Sequence, residues 1–167
     1  KAIEVLAAVR GAGVDAHLVV AGDGPLRPAM EERAAIAGVS DSVSLLGHRD
    51  DVERLLGALD VLVLTSDDEG VPGVLIEAAL AACPVVTFPV GDVAEVVDDG
   101  VTGVVLGAPS VAAMATAVLD LLRTPPSRRS MAAAAARATE RHAMESVARR
   151  YDEVLQAVRA RHGDYPR

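Results

Sequence analysis

Two glutamates, Glu69 and Glu77, stand in the stretch SDDEGVPGVLIEAALAACPVV (residues 66 to 86), with seven residues between them. Gly70, Pro72 and Gly73 lie in that interval, and a long apolar run follows. A carboxylate so placed is suited to accept two hydrogen bonds from a sugar diol. Glycines at 70 and 73 leave the backbone open to a ligand, and free N–H groups at a helix start attract phosphate. One ordinary alternative is two solvated carboxylates; the apolar, glycine-rich flanks disfavour it. A metal site at Asp67, Asp68 and Glu69 is the other, and no histidine pattern supports it, because His17, His48, His142 and His162 share no ligand spacing.

An absence sharpens the question. From Leu55 to Leu122, 68 residues, there is no lysine or arginine. A phosphate bound near the glutamates must therefore be balanced by backbone N–H groups and by cations from elsewhere. Lys1 is the nearest candidate, whereas Arg27, Arg33, Arg49 and Arg54 read as solvated charges on helices or loops.

The elements that must position these groups follow from the pattern. Helical spacing of Ile3, Leu6 and Ala7 predicts a helix from Ala2 to Arg10, stopped by Gly11 and Gly13. Strands are predicted at His17–Gly22, Ser42–Gly47, Asp60–Ser66, Cys83–Val90 and Thr102–Gly107. Between them fall a helix opened by Pro25 and running to about Ala37, an acidic-started helix from Asp50 to Leu59, and the helix carrying Glu77. A short helix at about Val93–Val97, a turn at Asp98–Gly100, and a helix capped by Ser110 complete the series. Strands alternating with helices through short loops mean a parallel sheet with helices on both faces. The strands are continuous apolar runs, as burial on both faces demands. A Rossmann-like domain over residues 1–125 and a helical extension over 126–167 are expected. That extension presents Val147, Tyr151, Leu155 and Val158 on one helix face.

Composition excludes several classes. The chain has 167 residues, enough for one domain with a sizeable core. A net charge of -8 and 2% aromatic residues argue against nucleic acid as a partner. Cys83 is the one cysteine, so no intramolecular disulfide framework forms and a reducing, cytoplasmic setting is expected. Beside Pro84, it reads as a packing residue rather than a nucleophile. No apolar run reaches a membrane span, and no signal peptide opens the chain.

In doubly wound folds, ligands sit at the carboxyl ends of the strands. The third strand ends at Thr65-Ser66, and DDEGVPG is the loop that follows it. Pro72 keeps Val71 out of helical geometry, so the helix starts near Gly73. Glu69 then lies in the loop and Glu77 about one turn inside the helix, both able to face the crevice.

Four stretches, VVAGDGPLR, VSLLGHRDDV, LDVLVLTSDDEGVPGVLIEAALAACPVV and PVGDVAEVVDDGVTGVVL, occur in this order. Together they closely resemble the C-terminal domain of GT-B glycosyltransferases of family 4, the group 1 glycosyltransferases, over roughly residues 1 to 160. The most specific element is the Glu–seven residues–Glu signature at Glu69 and Glu77.

The resemblance implies a nucleotide diphosphate sugar as ligand, with no metal and no cofactor. It assigns the ribose hydroxyls to Glu77 and the donor-sugar hydroxyls to Glu69, the candidate catalytic residue. The loop of Ser66, Gly70, Val71, Pro72, Gly73 and Val74 approaches the sugar and diphosphate, and Gly47, His48 and Arg49 border the base. Lys1 matches a diphosphate-binding lysine. The partner arginine, the central first strand and the N-terminal acceptor domain would lie ahead of residue 1. Five parallel strands with a fault between the first and third are therefore expected, with sticky edges and a tendency to self-associate.

Departures fall at Ala82, where the family usually has glycine, and at Cys83, Asp92 and Ala94. Residues 22–27, GDGPLR, read as a strand–turn–helix junction. The reading is the donor-binding half of a retaining glycosyltransferase; the alternative is a nucleotide-sugar-binding module without transfer activity. A related GT-B epimerase or phosphorylase is disfavoured by the glutamate signature. Peripheral membrane association of a full-length enzyme is compatible with all of this.

Overall fold

The structure, a computed structural model, describes residues 1–139 and 144–162. Of Met144, Glu145 and His162 only the backbone is described. Five short parallel strands alternate with helices in the order α1 (Ala2–Gly11), β1 (Leu18–Ala21), α2 (Arg27–Ile36), β2 (Val43–Gly47), α3 (Val52–Ala58), β3 (Leu62–Leu64) and α4 (Gly73–Leu80). Then come β4 (Val85–Thr87), β5 (Val104–Val105), α5 (Val111–Arg123), α6 (Pro125–Ala138) and α7 (Met144–His162).

The strands form two sheets. β1 pairs with β2, and β3-β4-β5 form a second sheet, all parallel within their ladders. The expected fault between the first and third strands is thus a gap. A slot of about 390 Å³ runs along it, lined by Leu18 and Val19 of β1, Val63 of β3 with Val61 just before it, and Val5, Leu6 and Val9 of α1. The slot explains a difference from expectation. Only β4 is buried throughout, while β1 and β3 are half-buried, because each keeps one unpaired edge.

On β4 the alternation of a strand is direct. Val85 points into a cluster with Leu56 of α3 and Leu75 and Ala78 of α4. Its neighbour Val86 points to the opposite face, into a cluster with Val5 and Val9 of α1 and Met114 and Val118 of α5. A third cluster joins Ile3 and Leu6 of α1 to Ala34 of α2, beneath Leu18 and Val43. The sheet core is therefore covered on both faces. α6 packs on α4 and α5 and buries Ala132 and Ala135.

Some boundaries move. Pro25 precedes its helix; Pro28 occupies the first turn of α2, and the amide of Arg27 donates to the carbonyl of Gly24 at 3.2 Å. The helix expected at Val93–Val97 is a 3-10 turn at Val93–Glu95, consistent with the low helix preference of β-branched Val93, Val96 and Val97. The Ser110 hydroxyl caps α5, accepting from the Ala113 amide at 3.2 Å. On α7 the side chains of Val147, Tyr151, Leu155 and Val158 are exposed. Among the described residues, no helix is long and apolar enough to cross a membrane.

Candidate functional site

The site grows from the end of β3. The chain leaves the sheet at Leu64, and residues 65–72 form a loop before α4 begins at Gly73. Pro72 is extended at φ -71 and ψ 103, and its carbonyl accepts from the Leu75 amide at 3.0 Å, the first bond of the helix. The helix face beneath is apolar: Leu75, Ala78 and Ala79 are buried. Glu77 falls on the opposite, exposed side, one turn in, and Glu69 is half-buried in the loop. Among the described residues, no hydrogen bond or ion pair engages either carboxylate. Among the described residues, the first amides of α4, at Gly73 and Val74, have no acceptor.

At its far end α4 stops in a Schellman turn. The Cys83 amide donates to the Ala78 carbonyl at 2.8 Å, and the Ala82 amide to the Ala79 carbonyl at 3.1 Å. This geometry puts Ala82 at φ 52, in the left-handed region that favours glycine. The departure noted in the sequence is therefore a strained alanine. Cys83 beyond it is buried, and burial pushes its thiol up to about 11. It is protonated at neutral pH and inert as a nucleophile.

A second loop braces the first. After β4 the chain passes Phe88 and Val90 to Gly91, whose φ is 51. The Asp92 amide donates to the Gly70 carbonyl at 3.0 Å. Nothing in the spacing of Glu69 and Glu77 pointed to this brace; the only sequence signal was the glycine in FPVGD.

Lys1 arrives from the start of α1. Its ammonium donates to the Thr65 carbonyl at 3.4 Å, pairs with the Asp67 carboxylate, and sits 5.5 Å above the centre of the Phe88 ring. Lys1, Thr65, Ser66 and Asp67 share a pocket of about 370 Å³ with Leu26, Met30 and Arg33 of the facing segment. Lys1 thus lies against the loop that carries Glu69. Its Asp67 partner, 66 residues away, was not foreseen. Among the described residues, no three His, Cys, Asp or Glu side chains cluster as metal ligands do.

The remaining candidates lie at the end of β2 and just after it. Gly47 ends β2 at φ 68, and its carbonyl accepts from the Gly22 amide at 2.8 Å. His48 Nε2 lies 3.1 Å from Asp50 Oδ1. Arg49 grips Asp51 with two bonds of 2.8 and 2.7 Å and holds that carboxyl below the usual range. Among the described residues, no hydrogen bond or ion pair joins this segment to Glu69 or Glu77; α3, which follows it, packs on α4. The reading of the arginines as simply solvated is incomplete. Arg33 pairs with Glu4, while Arg27 pairs with Glu31 and donates to the Leu45 carbonyl at 3.1 Å. Asp23 Oδ1 accepts from the Gly24 amide at 2.9 Å, as a turn residue does. His142, and the side chains of Glu145 and His162, lie outside the described residues.

Carboxylates, helix-start amides and one ammonium stand at the carboxyl edge of this Rossmann-like sheet, the edge at which ligands sit in doubly wound folds. The family model for glycosyl transferases group 1 matches residues 2–124, and the chain belongs to that family. It is 37% identical over 127 residues to the 2-deoxystreptamine glucosyltransferase of Streptomyces kanamyceticus, covering 74% of this chain and 33% of that protein. It is 29% identical over 146 residues to the N-acetyl-alpha-D-glucosaminyl L-malate synthase of Bacillus anthracis, covering 87% of this chain and 38% of that protein. The fold is similar to that of Anabaena HepE in complex with UDP, with a TM-score of 0.85 at 21% identity, over 94% of this chain and 45% of that one. The chain therefore spans roughly a third of the curated relatives that it matches.

Proposed function

We propose that this chain is the donor-binding half of a retaining glycosyltransferase that moves a sugar from a nucleotide diphosphate onto an acceptor. The observation that carries the reading is the pair Glu69 and Glu77. Among the described residues both carboxylates are unpartnered, set on a loop and a helix that leave the carboxyl end of one strand. Glu77 accepts the ribose hydroxyls, and Glu69 the donor-sugar hydroxyls. The amides at Gly70, Val71, Gly73 and Val74 and the Lys1 ammonium face the diphosphate, while Gly47, His48 and Arg49 border the base through their backbone. Arg49 serves best in that way, since its guanidinium is already engaged by Asp51.

Chemistry then needs position rather than a protein nucleophile. The sugar is held with its anomeric carbon toward a cleft, and charge building on the leaving diphosphate is met by amides and ammonium. No divalent metal is required for that balance. The acceptor site belongs to a second domain outside this chain, and we place the enzyme in the cytoplasm.

UDP is the first ligand to test, because HepE is similar in fold and was crystallised with it. Thermal unfolding of this chain is measured with UDP, GDP and ADP, with and without chelator. One diphosphate at about 100 times its Kd adds roughly 2.7 kcal/mol of stability, or several degrees in Tm, and chelator leaves that shift unchanged. No shift with any of the three contradicts donor binding. A shift that chelator abolishes restores a metal role for Asp67 and Asp68.

A further inference from the structure

We infer that Gly91 is a positioning residue for the donor sugar, acting through the backbone of Glu69 and Gly70. This rests on the donor-site reading above and adds to it a residue that touches no ligand.

Three observations carry the inference. A Cβ at Gly91 would overlap the carbonyl oxygens of both Glu69 and Gly70 and lie 2.8 Å from the Glu69 carbonyl carbon. Backbone cannot swing aside as a flexible side chain does, so only glycine permits this approach. Second, Gly91 sits at φ 51, a conformation that other residues adopt at a cost. Third, the Asp92 amide donates to the Gly70 carbonyl at 3.0 Å. A trans peptide points its C=O and N–H in opposite directions. Pinning the Gly70 carbonyl toward Asp92 therefore aims the Val71 N–H away from the brace. Among the described residues, nothing accepts from that N–H.

The consequence is specific to one carboxylate. Glu69 sits in a loop with no helix to hold it, and its main chain is fixed where the second loop lies flat against it. Glu77 is held by α4 and its buried face, independently of Gly91. Pushing the loops apart must therefore disturb the sugar contact and spare the ribose contact. A merely structural glycine would weaken both together.

The test is calorimetry of UDP and UDP-glucose on wild type, Gly91→Ala, Glu69→Ala and the double variant. In wild type the sugar is expected to add affinity over free UDP, and absence of that increment overturns the inference. Gly91→Ala is expected to reduce that added affinity about tenfold, equivalent to about 1.4 kcal/mol, with free UDP affected less than about twofold. The double variant is no worse than Glu69→Ala, because both act on one contact. Retention of the sugar increment in Gly91→Ala overturns the brace while leaving the donor site standing. Where the thermal screen selects another base, its diphosphate and the glucose conjugate of that diphosphate replace UDP and UDP-glucose; failure of wild type to bind any of UDP, GDP and ADP contradicts the donor site itself and removes this role with it. If Gly91→Ala does not fold, amide exchange in wild type decides. UDP-glucose slows exchange at Asp92 N–H about tenfold relative to UDP, an amount within the range of local opening free energies. Equal exchange with both ligands overturns the inference.

Discussion

Glu69 and Glu77 belong to one signature but to two kinds of support. Glu77 stands on α4, whose underside is locked into the core by Leu75, Ala78 and Ala79. Glu69 stands on a loop whose exposed residues Asp67, Asp68, Gly70 and Val71 bury nothing, and whose shape is set from outside by Gly91, Asp92 and Lys1. A helix fixes a side chain through its own hydrogen bonds and one buried face. A loop has neither, so its order is imported from neighbours. The carboxylate assigned to the invariant part of the ligand sits on the rigid element. The one assigned to the variable sugar sits on the element whose neighbours can tune it.

The largest effect that sharpens this contrast is in the core under α4. Leu75 is 1% exposed and touches the cluster of Leu56 and Val85. Leu75→Ala is expected to cost about 2–5 kcal/mol in chemical denaturation and to blunt Glu77 along with the fold. A loss well below that range would mean that α4 is not anchored as described.

Next comes pH. The Cys83 thiol is pushed up to about 11 from an ordinary 9.0 by burial. The folded state keeps its proton over that interval while the unfolded state loses it, so stability falls as pH rises from about 9 to about 11. The upper bound is about 3 kcal/mol, from two units at about 1.4 each. Denaturation midpoints across that window, compared with Cys83→Ala, isolate the contribution. A pH dependence identical in both proteins would contradict it.

The smallest effect lies at the end of the same helix. Ala82 holds φ 52 in the Schellman turn. Ala82→Gly is expected to stabilise the chain by about 1 kcal/mol, a rise of roughly 2–4 °C in Tm for a chain of this size. A drop in Tm would show that the Ala82 methyl group contributes packing that outweighs its strain.

Much of this was legible in the residues. The alternation of apolar runs and helix signals gave the order of elements and their parallel sense. Pro72 placed the start of α4 at Gly73, which put Glu69 in a loop and Glu77 in a helix. The missing glycine at position 82 was legible as a departure, but the strain there is a matter of its φ of 52, which residue type alone does not report. What escaped has a common cause. Strand ends shrank, because an apolar run shows where a strand fits and not where a neighbour pairs with it. The pairing of Lys1 with Asp67 and the brace of Gly91 on Gly70 join segments far apart in sequence, and no local periodicity reports them. Val93 to Val97 read as a helix from its spacing, yet its β-branched residues settled into a single 3-10 turn.

The central claim is the division of labour between the two carboxylates, and calorimetry of UDP and UDP-glucose on Glu77→Ala and Glu69→Ala tests it most directly. The account predicts that Glu77→Ala weakens both ligands alike by about 1.5–3 kcal/mol, the range for hydrogen bonds to a charged group. Glu69→Ala should leave UDP nearly unchanged and remove only the affinity that the sugar adds. Equal losses of UDP affinity in the two variants would contradict the account.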